Sequence, residues 1–230
     1  MEFEKIENMI GNIYNEDCLE TMKRMPDKSV DLILTDPPYG INVSKQGWHT
    51  YDCSFGGGKG TKKERKYIDK DWDEKIPSKE IFNEIMRISK HQIIFGGNYF
   101  IDYLYNTSCL LFWDKCNGSS DFADGEIAWT NFKTAVRKYT FRWNGMLQQD
   151  MANKETRHHP TQKPVELFKM ILRDYAIKND FKIIYDPFMG SGTTAIACKS
   201  LGLEYIGSEL DKDYYEIIQK RLSAVQASLF

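Results

Sequence analysis

The run from Lys182 to Glu209, KIIYDPFMGSGTTAIACKSLGLEYIGSE, constrains the fold more than any other part of the chain. A short apolar run ends in an acid, Asp186. Pro187 to Gly192 make a turn with two glycines, Thr193 to Leu201 reads as a helix closed by Gly202, and Glu204 to Ser208 is a second apolar run that ends in another acid, Glu209. Glycines at a strand-to-helix turn let the chain turn tightly and let a ligand approach the backbone. The helix start offers unpaired N–H groups and a positive dipole end to an anion. No lysine follows the second glycine, so the phosphate-gripping GxxxxGK[ST] loop is excluded. Glu209 stands 17 positions after Gly192, close to where nucleoside-binding sheets carry the acid that grips a ribose diol. The plain alternative is a tight turn with a surface glutamate.

The same alternation runs through the rest of the chain. Helices are predicted at Asp17 to Met25, Ile81 to Lys90, Tyr99 to Tyr105, Pro164 to Ala176 and Asp213 to Val225. Strands are predicted at Val30 to Thr35, Gln92 to Phe95, Cys109 to Trp113 and Lys182 to Tyr185, with Glu126 to Phe132 and Ala135 to Trp143 as a β-pair. Apolar spacing separates the two kinds. Strands alternating with helices imply an α/β fold, a mostly parallel twisted sheet with helices on both faces. Two stretches break the rhythm, Gly40 to Lys75 and Asp114 to His159, and structureless stretches of such length tend to be functional or mobile.

At the end of the first of these strands stands TDPPYG, Thr35 to Gly40. In an open α/β sheet that edge is where ligands bind. Prolines donate no N–H, so their carbonyls are free to accept, and an ionised Asp36 only accepts. The Asp36 carboxylate and the Pro37 carbonyl together suit both hydrogens of an NH2 group, and Tyr39 offers a flat face to a planar ring. An exocyclic amine on an aromatic base fits; a rigid turn with a capping aspartate is the bland reading.

Composition narrows the class. Net charge is −2, so any nucleic-acid partner must be held by local basic patches. The five cysteines lack a CxxC pair, which argues against a disulfide framework or zinc site and for a reducing cytosol. No apolar run reaches the roughly 18 residues of a membrane span, and the N-terminus lacks the pattern of a secretory signal.

Taken together, TDPPYG and DPFMGSGTT resemble the catalytic and FxGxG cofactor motifs of the amino-group DNA methyltransferases that use S-adenosylmethionine, and HPTQKP, His159 to Pro164, resembles a third element of that family. Their order is similar to the circularly permuted β group, and the resemblance covers roughly Asn12 to Arg221. It implies a Rossmann-like methyltransferase fold with permuted motif order and no metal. It also implies roles. Asp36, Pro37, Pro38 and Tyr39 would be catalytic. The segment with Asp17 and Cys18 would read the cofactor's adenine. Asp36, Asp186, Phe188, Gly190, Ser191, Gly192, Thr193 and Thr194 would line its site, Thr161 and Lys163 would reach its carboxylate, and Glu209 would hold its ribose. The implied reaction is methylation of adenine N6 in double-stranded DNA by base flipping. Cytosine N4, an amine in RNA or protein, and an inactive nucleoside-binding module are the alternatives. A cytoplasmic protein is implied, with a homodimer and a cognate restriction enzyme as further partners.

Two stretches are candidates for DNA. KGTKKERK carries Lys59, Lys62, Lys63 and Arg65, in a loop (41–75) expected to be mobile and suited to phosphate contacts near a flipped base. AVRKYTFRW interleaves Arg137, Lys138 and Arg142 with aromatics, which suits nucleic acid or, at strand spacing, simply buries the aromatics. The whole of 1–230 is expected to be one methyltransferase domain, with 114–159 a small target-recognition insertion.

Overall fold

The computed structural model describes residues 3–41, 73–118, 123–144, 147–159 and 161–225. Lys59, Lys62, Lys63 and Arg65, with nearly all of the 41–75 loop, lie outside the described residues.

The helices are α1 (Ile6–Met9), α2 (Cys18–Arg24), α3 (Lys79–Ile88), α4 (Val165–Tyr175), α5 (Thr193–Ser200) and α6 (Lys212–Ala224). The strands are β1 (Ile13–Tyr14), β2 (Val30–Thr35), β3 (Ser89–Phe95), β4 (Leu110–Asp114), β5 (Gly125–Thr130), β6 (Arg137–Thr140), β7 (Trp143–Asn144), β8 (Leu147–Gln148), β9 (Ile183–Asp186) and β10 (Glu204–Ser208). Among the described residues, eight strands form one sheet in the order β1-β10-β9-β2-β3-β5-β4-β6. Neighbours from β1 to β3 pair in parallel, and β6 is parallel to β4. Of these eight, only β5 runs against its partners, β3 and β4. Central β2 is buried on both faces, as parallel strands covered by helices are.

Each face carries a core. Leu32, Leu34, Ile93 and Phe95 pack against Leu167, Phe168 and Ile171 of α4 on one side. Ile33, Ile94 and Tyr185 pack against Met22 of α2 and Phe82, Ile85 and Ile88 of α3 on the other. Helix starts are fixed locally. The Asp17 carboxylate accepts from Leu19 N at 2.8 Å, and Asp211 accepts from Asp213 N and Tyr214 N. These caps satisfy backbone donors that the helix leaves open.

Three expectations are corrected. The helix predicted at 99–105 is a single 3-10 turn, Gly97–Tyr99. Gly96 before it is left-handed, and Phe100, buried to 1 % exposure, turns the chain into the α3 face. The predicted β-pair of β5 with β6 does not form, because β4 lies between them. For the same reason 114–159 is not an insertion as a whole. Within it β5 and β6 join the main sheet, and the β7–β8 hairpin forms a separate two-stranded sheet.

Candidate active site

β9 is followed by α5 and then by β10 on one side of it, whereas β2 leads to α3 and then to β3 on the other. The order of strands therefore reverses between β2 and β9, and ligands of open α/β sheets bind in the crevice at such a point. A cavity of 330 Å³ lies there, within the size of small-molecule sites. It is walled by the turns after β2, β9, β10 and β1. Asp17, Cys18, Asp36, Pro37, Pro38, Tyr39, Thr161, Lys163, Asp186, Phe188, Gly190, Ser191, Thr193, Thr194 and Glu209 all line it. Gly192 alone of the expected set does not.

The glycine turn is built as the sequence demands. Gly190 and Gly192 have φ of 56° and 90°, the left-handed region in which a side chain is strained. A Cβ built on Gly190 meets nothing nearer than the Phe188 carbonyl at 4.0 Å, so bare backbone faces the cavity. On Gly192 it would press on Ile218 of α6 at 3.1 Å, so this glycine serves packing beneath the turn. Asp186 anchors the turn's start. It accepts from Thr35 Oγ1 at 2.6 Å, Thr194 Oγ1 at 2.5 Å and Phe188 N at 3.0 Å. Burial pushes its carboxyl up to about 6 despite these donors. Glu209 accepts from Gly190 N at 2.7 Å and Asp211 N at 2.8 Å, and burial pushes it up to about 7. Its oxygens retain unused lone pairs for a hydroxyl pair.

Ser191 is held from behind. Its hydroxyl donates to Gln162 Oε1 at 3.0 Å, and Arg221 of α6 donates to its carbonyl at 2.5 Å. Gln162 and Arg221 both donate to Glu155 Oε1, at 2.7 and 3.1 Å, and the other Glu155 oxygen caps α4 through Val165 N at 2.9 Å. Asp17 caps α2, and Cys18 beside it is buried, its thiol pushed up to about 12 by burial and the nearby Asp17. Thr161 bonds His159 Nδ1 at 3.0 Å.

On the other wall, Tyr39 donates its hydroxyl to Asp36 Oδ1 at 2.5 Å. Asp73 accepts from the Tyr39 and Gly40 backbone N–H groups, both at 2.9 Å, and so fixes the proline turn's exit. A Cβ on Gly96 would lie 2.1 Å from Tyr39 Cε1; the glycine is what lets the ring sit there. Tyr99 stacks on Tyr39 at 4.7 Å and 14°. The Lys163 ammonium, expected at a cofactor carboxylate, instead donates to Asp36 Oδ2 at 2.5 Å.

Sequence reading misses Asp73, Glu126, Tyr99, Gln162 and Arg221. Only the glycine pair Gly96-Gly97, after an apolar run, is a usable signal. Arg137, Lys138 and Arg142 sit on exposed positions of β6 and its continuation, away from the cavity. Tyr139 and Trp143, interleaved with or next to them, are buried and unavailable for stacking on bases. Lys138 is paired with Asp114 at 2.7 Å.

A glycine turn and a proline turn facing one crevice of a mostly parallel sheet define a Rossmann-like methyltransferase. The fold matches that of the M1.HpyAVI–SAM complex (TM-score 0.53, 24% identity, 91% of this chain and 98% of that one). It also matches the cytosine-N4-specific PvuII DNA methyltransferase (TM-score 0.56, 14% identity, 96% and 88%). Residues 114–220 match the N6/N4 family described as DNA methylase. The chain is 26% identical to the type II methyltransferase M.HinfI of Haemophilus influenzae, over 97% of this chain and 71% of that protein. It is 28% identical to M2.DpnII of Streptococcus pneumoniae, over 92% and 89%. The family model that matches residues 114–220 is that of the N6/N4 DNA methylases.

Proposed function

We propose that the protein transfers the methyl group of S-adenosylmethionine to the N6 amino group of adenine in double-stranded DNA. One observation carries the reading: Asp36 and the Gly190 turn, at the ends of adjacent strands β2 and β9, line the same cavity. The donor set fits the cofactor. Bare backbone at Gly190 leaves room for it, Glu209 offers carboxylate oxygens for a diol, and Asp17 offers one for an amine.

When bound, the cofactor supplies an electrophilic methyl carbon on a sulfonium sulfur. The protein's own residues do the rest. A base inside the duplex cannot present its amine, so it must be extruded, at a cost of a few kcal/mol. The Tyr39 ring offsets part of that cost by stacking. Asp36 and the Pro37 carbonyl accept the two N–H groups, which draws the amine's lone pair out of conjugation. Asp36 then faces the positive charge that develops on nitrogen, a preorganised electrostatic contribution. Basic side chains of β6 and of the 59–65 stretch would contact phosphates. The reading places the protein in the cytoplasm with DNA as partner, and keeps a homodimer and a cognate restriction enzyme.

Incubation of the protein with duplex DNA and cofactor labelled in the methyl group, followed by digestion and separation of nucleosides, tests it. Label in N6-methyladenine is expected. Label in N4-methylcytosine would reassign the base, and no label in DNA would overturn the reading.

A further inference from the structure

Asp36 does not stand alone on its wall. Lys163 Nζ lies 2.5 Å from Asp36 Oδ2 and 3.0 Å from Glu126 Oε2, so one ammonium is shared by two carboxylates. The Lys163 side chain is 5 % exposed and both carboxylates are one-fifth exposed. Lys115, from the turn after β4, pairs with the other oxygen, Glu126 Oε1. The Tyr39 hydroxyl lies 3.4 Å from both Glu126 Oε2 and Lys163 Nζ. Glu126 reaches this place because β5 is reversed. Its first residues pair with the last residues of β4, Glu126 opposite Trp113 and Gly125 opposite Asp114, and so arrive at the rim where the parallel strands end.

Charge counting gives Glu126 a role. An Asp36–Lys163 pair by itself is neutral and offers little to an amine that turns cationic. With Lys115 counted, the four groups sum to zero, but Lys115 engages the far oxygen of Glu126, so Lys163 itself is shared by two carboxylates and neutralises neither wholly. We infer that Glu126 is a positioning residue of the proposed reaction: it holds Lys163 between two carboxylates, so that the ammonium does not close wholly on Asp36 and Asp36 keeps accepting strength for the acceptor amine. The inference rests on the function proposed above and extends it to a residue outside the cavity lining.

The titration directions agree. Burial pushes Asp36 up, Lys163 pulls it down and Glu126 pushes it up. Burial pushes Glu126 up as well, but Lys163 and Lys115 overcome this and bring it down to about 2. Glu126 is therefore a standing negative charge. Among the described residues, Asp186 at the end of β9 is a further acid that interacts with Asp36, and Asp73 accepts from the Tyr39 backbone.

The test is single-turnover methyl transfer by wild type, Glu126→Gln and Lys163→Met, followed from acid to neutral pH, with cofactor affinity measured in parallel. In Glu126→Gln the ammonium closes wholly on Asp36. The rate should fall by about tenfold to a hundredfold, the scale of one electrostatic interaction in a site, with cofactor affinity unchanged. Its acid limb should move to lower pH, because Asp36 no longer has a like charge beside it. In Lys163→Met the limb should move to higher pH, because Asp36 no longer has its counter-ion. A merely structural role would lower activity without moving the two limbs in opposite directions. Should Glu126→Gln fail to fold, Glu126→Asp, which keeps the charge on a shorter arm, is expected to lose rate and keep cofactor affinity. A Glu126 variant with wild-type rate and pH profile overturns the inference alone. Wild type that labels no DNA overturns the proposed function and the inference with it.

Discussion

Thr35 and Asp186, 151 positions apart in the chain, meet at the sheet rim, where the Thr35 hydroxyl donates to the buried Asp186 carboxylate at 2.6 Å. One hydrogen bond thus ties the residue before the proline turn to the residue before the glycine turn. Thr35→Val should leave that carboxylate short of a donor in a site 3 % exposed. Leaving a buried polar group short of a partner costs about 1–3 kcal/mol. Urea unfolding is expected to show a loss of that size, and an unchanged midpoint would mean that the bond contributes nothing.

Gly96→Ala is expected to damage catalysis while sparing the cofactor site. The added methyl would fall 2.1 Å from Tyr39 Cε1, at a backbone φ of 69°. The ring must move, and with it the hydroxyl that bonds Asp36. Misplacement on this scale costs roughly a hundredfold in rate. Equilibrium cofactor binding should stay near wild type; equal loss of both would place the damage in the fold.

Stability should depend on pH through Glu209. Its folded-state pKa is raised to about 7 by burial, so the native state holds that proton more tightly than the unfolded chain does. The stabilisation is complete below the ordinary glutamate range and is lost as pH rises through about 7. Compared with Glu209→Gln, wild type should lose up to about 1.4 kcal/mol per pH unit across that window. Parallel curves for the two proteins would show that Glu209 is not buried in its neutral form.

Arg221→Ala removes the donors to the Ser191 carbonyl and to Glu155. The glycine turn loses its support from α6, so the cofactor dissociation constant should rise by about tenfold, the cost of roughly one charged hydrogen bond. The rate at saturating cofactor should change less. A rate loss without a binding loss would reassign Arg221 to the chemical step.

Replacement of Arg137, Lys138 and Arg142 by alanine tests the β6 edge. For every DNA phosphate that these side chains neutralise, the slope of log affinity against log salt should become shallower by about 0.9 in the variant. An unchanged slope would free this edge of any role in DNA binding.

The two motif turns are legible because their residues break the rules of ordinary turns: adjacent prolines after an acid, and two glycines between a strand and a helix. Each falls at the strand end where the sequence puts it, and their convergence follows from strand order. The support around them is not legible. Glu126 is an ordinary glutamate at the start of an apolar run, and its position depends on β5 being reversed, which no local pattern reveals. The 3-10 turn at Gly97–Tyr99 reads as a longer helix because Tyr103 and Leu104 do face an apolar core, though from a turn. In AVRKYTFRW the same alternation is compatible with bases or with a core, and burial decides for the core at Tyr139 and Trp143.

The chain order of the strands has a consequence for biosynthesis. β2 leaves the ribosome long before β9, its neighbour in the sheet, and chains fold from the N-terminal side as they emerge. Until β9 arrives, one flank of β2 has no pairing partner, and the delayed, long-range closure is intrinsically slow. A nascent or truncated chain can carry a finished acceptor wall and still lack the methyl-donor wall, so the enzyme is inert until its last third has been made.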